Sequence, residues 1–197
     1  MAADVQRGQD PRDLELVARV LAGDLDAYAG LVDRHSDLVY SIALRIVGNR
    51  ADAEDVAQET FLNAFRALQS FKGQSKLSSW LYRIAVNRAL AYLKGRRHTL
   101  SLDIDADDTH EIRSLAAPSR DHPDQTLIEK EFRLRVIQAI SMLPPHYRAV
   151  VTLYHLQDRS YKEVAEILGL PMGTVKTHLH RARAMLRRAL SDDDPVV

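Results

Sequence analysis

The amino-acid sequence predicts an all-α protein: two small helical domains joined by a flexible acidic linker, the C-terminal one a helix-turn-helix domain. Three observations carry this. Apolar residues recur at three- and four-residue spacing along most of the chain, and no alternating strand pattern is present. Residues 99–126 lack that period, hold Pro118 and Pro123, and carry seven acids against two arginines. From Ser160 to Leu190 a capping pattern, a glycine stop, a proline corner and a basic helix follow one another.

The elements follow in order. Residues 1–11 are polar and read as a disordered tail. Leu14, Val17, Ala18 and Leu21 mark a first helix ending at Gly23. Tyr28, Leu31, Val32, Val39, Ile42, Ala43 and Ile46 mark a second, from Asp24 to Val47. Asn49 caps a third that runs to Leu68, with Ala57, Phe61, Ala64, Phe65 and Leu68 as its apolar arc. Asp52, Asp55, Glu59 and Asn63 lie about half a turn away. Such a carboxylate stripe suits a basic protein surface, and the positive helix N-terminus accounts for its first acids equally well.

A polar loop, Lys72 to Lys76, leads into a fourth helix, capped by Ser78 or Ser79 and running to about Arg96. Leu81, Tyr82, Ala85, Val86, Ala89, Tyr92 and Leu93 form its apolar arc; Trp80, Arg83, Asn87 and Lys94 share the other side. Residues 72–98 contain seven Lys/Arg and no acid, while residues 51–65 contain four acids and no base. Cations, an amide and an indole together suit single-stranded nucleic acid. For Trp80 itself, packing on a neighbouring helix is the more ordinary role.

Beyond the linker, helices resume at Leu127 to Leu143, break at Pro144-Pro145 and continue from His146 to about Leu156. Ser160 and Glu163 have capping-box spacing, Gly169 ends the short helix Tyr161–Leu168, and a second helix starts at Met172. Val175, Leu179, Ala182 and Leu186 share the arc that packs on the first helix; Thr177, His180, Arg181 and Arg188 fall opposite, with Lys176 and Arg183 on a flank. Residues 161–190 hold six Lys/Arg against two Glu. A basic second helix after such a turn is how a chain enters the DNA major groove.

The net charge of zero over 197 residues is a sum of opposed patches, which points to two kinds of partner. With no cysteine, disulfides, thiolate catalysis and cysteine-held zinc are excluded. His178 and His180 are two apart and point to different faces, so they are poor joint metal ligands. No catalytic constellation, cofactor motif, signal peptide or membrane-length apolar run is found, and a cytoplasmic protein is expected. An ordinary transcriptional regulator and a protein-binding helical adaptor are the alternatives these features leave open.

Five strings in register resemble the extracytoplasmic-function bacterial RNA polymerase sigma factors. They are Asp52–Phe61, Phe71-Lys-Gly, Ser79–Asn87, Leu143-Pro-Pro, and Tyr161–Gly169 with Gly173–Lys176. The resemblance implies a non-catalytic initiation factor that binds core RNA polymerase, recognises minus-35 and minus-10 promoter elements and promotes strand opening. It implies a region 2-like domain (12–98), the linker (99–126), a region 4-like domain (127–190) and an acidic tail (191–197). Asp52, Asp55, Gln58, Glu59 and Asn63 would dock on a coiled coil of the largest polymerase subunit. Lys72, Gln74, Ser75, Lys76, Ser79, Trp80, Arg83, Asn87 and Arg88 would hold the minus-10 element and its non-template strand. Thr174, Lys176, Thr177, His178, His180, Arg181 and Arg183 would read duplex DNA at minus-35. An anti-sigma factor and a role in stress response are further implications. Leu77, where the family often has an aromatic, and Ala91, where an acid is common, depart from the pattern beside the strand-binding surface. His180 at a recognition position leads one to expect DNA affinity that varies with pH near neutral.

Overall fold

A computed structural model describes residues 10–100 and 127–191, with side chains over 10–96 and 131–191. The expected linker and acidic tail lie almost wholly outside the described residues. Eight α-helices are present among those described: α1 (Pro11–Leu21), α2 (Asp26–Val47), α3 (Arg50–Ala67), α4 (Leu77–Leu100), α5 (Leu127–Ser141), α6 (Pro145–Val151), α7 (Tyr161–Leu168) and α8 (Met172–Ser191). No strand occurs among the described residues.

Helix ends follow local chemistry. Asp10 accepts from the Arg12 backbone N–H at 2.9 Å, and Pro11 occupies the first helical position, so α1 begins inside the expected tail. Asp24 accepts from the Ala27 N–H at 3.2 Å and binds Arg19 at 2.7 Å, closing the α1–α2 corner. Gly48 (φ 98°) ends α2 in the left-handed region, and Asn49 Oδ1 accepts from the Asp52 N–H at 2.9 Å to start α3. α4 begins at Leu77, so Ser78 and Ser79 sit in its first turn and neither caps it. Its backbone runs on to Leu100, beyond the expected boundary at His98.

Two apolar arcs differ from the sequence expectation. On α1 the buried side chains are Asp13, Val17 and Val20, while Leu21 is half exposed. The helix turns that way because the Asp13 carboxylate, 5% exposed, receives Arg34 Nε at 2.9 Å and lies 3.2 Å from His35 Nε2 on α2. A buried charge needs such partners. On α3 the buried residues are Ala53, Val56, Thr60 and Ala64, an arc rotated by roughly 80° from the expected one at 100° per residue. Thr60 fits the core because its hydroxyl donates to the Val56 carbonyl at 2.7 Å. The rotation leaves Phe65 exposed, edge-on to Tyr28 at 4.8 Å.

Ile42, Ile46, Val56, Tyr82 and Val86 centre the N-terminal core, and Leu153, Val164, Val175 and Leu179 the C-terminal one. The two are continuous. α6, α7 and a π-helical turn at Thr152–Leu156 pack directly on α2 and α4.

Candidate nucleic-acid and polymerase interface

The helix-turn-helix is built as the sequence predicts. Ser160 and Glu163 form a reciprocal capping box, and Gly169 (φ 63°) is left-handed. Leu170 N–H then bonds to the Ala165 carbonyl at 3.0 Å, which closes the turn. Val175, Leu179 and Ala182 are buried, so α8 presents the opposite face to solvent.

That face does not use all seven predicted readers alike. Lys176, Thr177, His180, Arg181 and Arg183 are exposed. At 100° per residue Thr177 sits nearest the middle of the face, with His180 and Arg181 to either side. Thr177 donates its hydroxyl to the Gly173 carbonyl at 2.9 Å, and Lys176 stands 5.9 Å from the Tyr161 ring centre. Arg183 is drawn back to His155 at 3.3 Å and over the Tyr154 ring. Thr174 is half-buried. His178 turns inward, its ring 5.2 Å from that of His146 and 5.3 Å from that of Tyr147. Burial, then the neighbouring His146 and Arg181, lower the His178 pKa, and burial followed by Arg183 lowers that of His155. His178 thereby serves packing, whereas His155 stays exposed beside Arg183. Among the described residues no group of three or more His, Cys, Asp or Glu is placed to hold a metal ion.

The predicted strand-binding surface falls on the 71–76 loop and one side of α4. Lys72, Gln74, Ser75, Lys76, Arg83 and Asn87 are exposed; Ser79, Trp80 and Arg88 are half-buried. Trp80 packs on Phe71 at 5.4 Å, so its half-buried ring supports the loop. Leu77 is 2% exposed. That family departure therefore lies in the core at the start of α4; Ala91 is exposed.

The predicted docking set divides between two flanks of α3. Gln58 borders an open groove between α2 and α3, floored by Tyr40, Ala57 and Phe61 and rimmed by Asp37 and Glu54. Asp52, Asp55, Glu59 and Asn63 lie on the flank toward α4. There Glu59 forms an ion pair with Arg88, joining a docking residue to a strand-binding one. Asp52 is bound still more firmly. It accepts from Asn49 Nδ2 and the Tyr92 hydroxyl at 2.7 Å each, and from Arg96 at 2.6 Å. Burial alone would raise the Asp52 carboxyl; the bonds from Tyr92 and Asn49 and the Arg96 charge outweigh it and hold the group below its ordinary range. The same contact, with burial second, pushes Tyr92 up to about 12.

The comparisons with known proteins agree with this architecture. The family model for Sigma-70 region 2 matches residues 31–99, and that for Sigma-70, region 4 matches residues 133–186. The chain is 36% identical over 178 residues to the ECF RNA polymerase sigma factor SigW of Bacillus subtilis, covering 89% of this chain and 95% of that protein. It is 41% identical over 174 residues to the ECF RNA polymerase sigma-E factor of Escherichia coli K12, covering 87% and 90%. The structure of CnrH in complex with the cytosolic domain of CnrY is similar, with a TM-score of 0.62 and 26% identity, covering 93% of this chain and 99% of that one. The sigma factor RpoE from Bartonella quintana, solved with the anti-sigma factor NepR, shares the fold at a TM-score of 0.63 and 22% identity, covering 84% and 98%.

A helical region 2, a helix-turn-helix region 4 and an exposed basic recognition helix define the class: a promoter-recognising transcription initiation factor of the sigma-70 type. Within that class, identities above one third along most of the length place it further. The chain belongs to the ECF RNA polymerase sigma factors.

Proposed function

We propose that this chain is the non-catalytic specificity subunit of a cytoplasmic RNA polymerase, with a separate task for each of its three polar surfaces. The α3 flank with Asp55, Glu59 and Asn63, together with Gln58 at the groove, docks on a basic coiled coil of the largest subunit. The 71–76 loop with Ser79, Trp80, Arg83, Asn87 and Arg88 holds the non-template strand of the minus-10 element. Thr177, His180 and Arg181, flanked by Thr174, Lys176 and Arg183, read the minus-35 duplex. Asp52 and His178 support this machinery from behind, as an anchor for α4 and a brace for α8. Residues 12–98 and 127–190 are the two functional domains, with residues 99–126 as tether.

The observation that carries the reading is the exposed basic face of α8 above a fully buried Val175–Leu179–Ala182 seam. Rigid backing of that kind lets a few side chains meet base edges without a large ordering cost. Opening DNA costs on the order of 1.4 kcal/mol per stacked step. Cations and the half-buried Trp80 ring on the strand-binding side offset part of that cost, and polymerase contacts supply the remainder. RpoE was solved with the anti-sigma factor NepR and CnrH with the cytosolic domain of CnrY, and an anti-sigma partner is proposed here as well. No helix among the described residues is long and apolar enough to cross a membrane, in keeping with the cytoplasmic assignment.

Size-exclusion chromatography of the full chain with bacterial core RNA polymerase tests the docking face. Co-elution is expected for the wild type and is lost in Asp55→Arg/Glu59→Arg. If the wild type binds duplex DNA alone and never co-elutes with active core enzyme, the ordinary-regulator reading replaces this one.

A further inference from the structure

From Gly173 to Ala184 the middle of the exposed face of α8 carries no long side chain. Thr177 lies within about 15° of the direction opposite the buried Val175–Leu179–Ala182 seam. Gly173, one turn before it, and Ala184, two turns after, are exposed as it is and fall within about 30° of the same line. His180 and Arg181 stand roughly 50° to either side. Longer groups thus flank a central line of small ones.

Thr177 has already used its one donor. Its hydroxyl donates to the Gly173 carbonyl at 2.9 Å, which turns the oxygen back along the helix surface. The staggered positions then left for the γ-methyl point away from that carbonyl. To donate to a base edge, the hydroxyl would have to give up the bond it holds. Gly173, for its part, is bare for no internal reason. Its φ is not in the left-handed region, and a Cβ added there would meet no atom within 4 Å. Glycine is a poor helix former, so neither backbone nor packing accounts for it. What its missing side chain provides is closer approach to whatever lies against this face.

We propose that Thr177 reads a thymine in the minus-35 element by methyl–methyl contact, its hydroxyl taking no part in the choice of base. The proposal rests on the promoter-reading function above and names the base for the middle of that site. The C5-methyl of thymine is the apolar group that base edges present in the major groove, and a threonine methyl is a fitting partner for it. Such contact needs carbon atoms within about 4 Å of each other. A groove about 12 Å wide and 8.5 Å deep admits a helix that far when its leading line is short, as Gly173, Thr177 and Ala184 make it. Cytosine carries hydrogen where thymine carries the methyl, and so does uracil; either base leaves the Thr177 methyl facing a gap. 5-Methylcytosine has the same methyl at the same ring position, which makes the chain sensitive to cytosine methylation at that base pair.

The test uses the holoenzyme reconstituted from the full chain and bacterial core RNA polymerase. Its probe is the tightest-binding duplex selected from a library randomised across the minus-35 element. Each thymine of that element is replaced in turn by deoxyuridine, which keeps the pairing and removes one methyl. At one position the replacement is expected to weaken binding about fourfold, the worth of one methyl group taken out of water. Thr177→Ser keeps the hydroxyl and lacks the methyl. It is expected to bind thymine and deoxyuridine probes alike, about fourfold more weakly than the wild type binds thymine. Thr177→Val keeps the methyl and lacks the hydroxyl, and is expected to reproduce both wild-type affinities. With cytosine at the same position, 5-methylation should strengthen wild-type binding by a similar factor and leave Thr177→Ser unmoved. Methyl reading is overturned, with the assigned function left standing, if no thymine methyl matters or if the methyl effect survives Thr177→Ser. A Thr177→Val chain that binds as weakly as Thr177→Ser overturns it too. A chain that never forms a holoenzyme overturns the assigned function and the base reading with it.

Discussion

Asp52 separates a docking role from a structural one, and the geometry gives the size of the effect. Its carboxylate, 14% exposed, accepts three side-chain hydrogen bonds, from Asn49, Tyr92 and Arg96. It also lies in the first turn of α3. Replacement by alanine removes all three bonds and leaves the Tyr92 hydroxyl and the Asn49 amide without their acceptor. At about 1 kcal/mol for each net bond, and with Arg96 discounted for its exposure, the bonds amount to roughly 2.5 kcal/mol. Loss of a carboxylate at a helix N-terminus adds about 0.5 kcal/mol. Asp52→Ala is thus expected to lower stability by about 3 kcal/mol, seen as a reduced urea midpoint and a Tm lower by about 6–12 °C for a chain of this size. Asp52→Asn keeps an acceptor for Tyr92 and loses the charge, so about half that loss is expected. A second readout is independent of denaturation: ultraviolet titration of the tyrosines should show Tyr92, held at about 12, returning toward its ordinary value in both variants. A change in stability below about 0.5 kcal/mol with Tyr92 unmoved would refute the anchor. Loss of polymerase binding without loss of stability would return Asp52 to the docking face.

Two further outcomes follow from the site. Lys72→Ala/Lys76→Ala is expected to leave co-elution with core polymerase intact while impairing promoter opening, followed by permanganate reactivity of unpaired thymines. If both lysines contact phosphates, the salt-dependence slope for single-stranded DNA falls by about 1.4, and equal loss of docking and opening would contradict the division of surfaces. His155 and His178 have folded-state pKa values below the ordinary one, so below about pH 6.5 the unfolded chain takes up protons that the folded chain refuses. Their contribution is intact above that pH and is lost progressively as pH falls toward the lowered folded-state values. Tm is expected to drop between pH 7.5 and 5.5, and less so in His155→Gln/His178→Gln; an unchanged slope would count against it. The same pH series, run on DNA affinity with His180→Gln, reads the exposed recognition histidine separately from this stability effect.

Much of the site was legible along the chain because the signals are local. A capping box, a glycine that must take positive φ and a proline corner specify the helix-turn-helix within a dozen residues, and a period of 3.6 then assigns the faces of α8. Segregation of charge between 51–65 and 72–98 likewise separates acidic from basic surfaces before any packing is known. Periodicity misjudged α1 and α3 for one reason. It weighs a residue by its own polarity, and the partners that permit Asp13 and Thr60 to be buried decide otherwise. Arg34 and His35 come from the next helix, whereas the Val56 carbonyl lies one turn back.

The amino-acid sequence by itself determined the helices, most of their ends, the chemistry of the three polar surfaces and the family to which they belong, since each depends on neighbours a few residues away. Tertiary structure alone decided which of those polar residues remain available. It committed Asp52 to Tyr92 and Arg96, paired Glu59 with Arg88, turned His178 onto His146, and joined Tyr82 to Gln157 and Arg159 from 75 or more positions along the chain. Hydrogen bonds and ion pairs at such separations form only after chain entropy has been overcome by packing of the helices that carry them, and no local pattern records which partner that packing will supply.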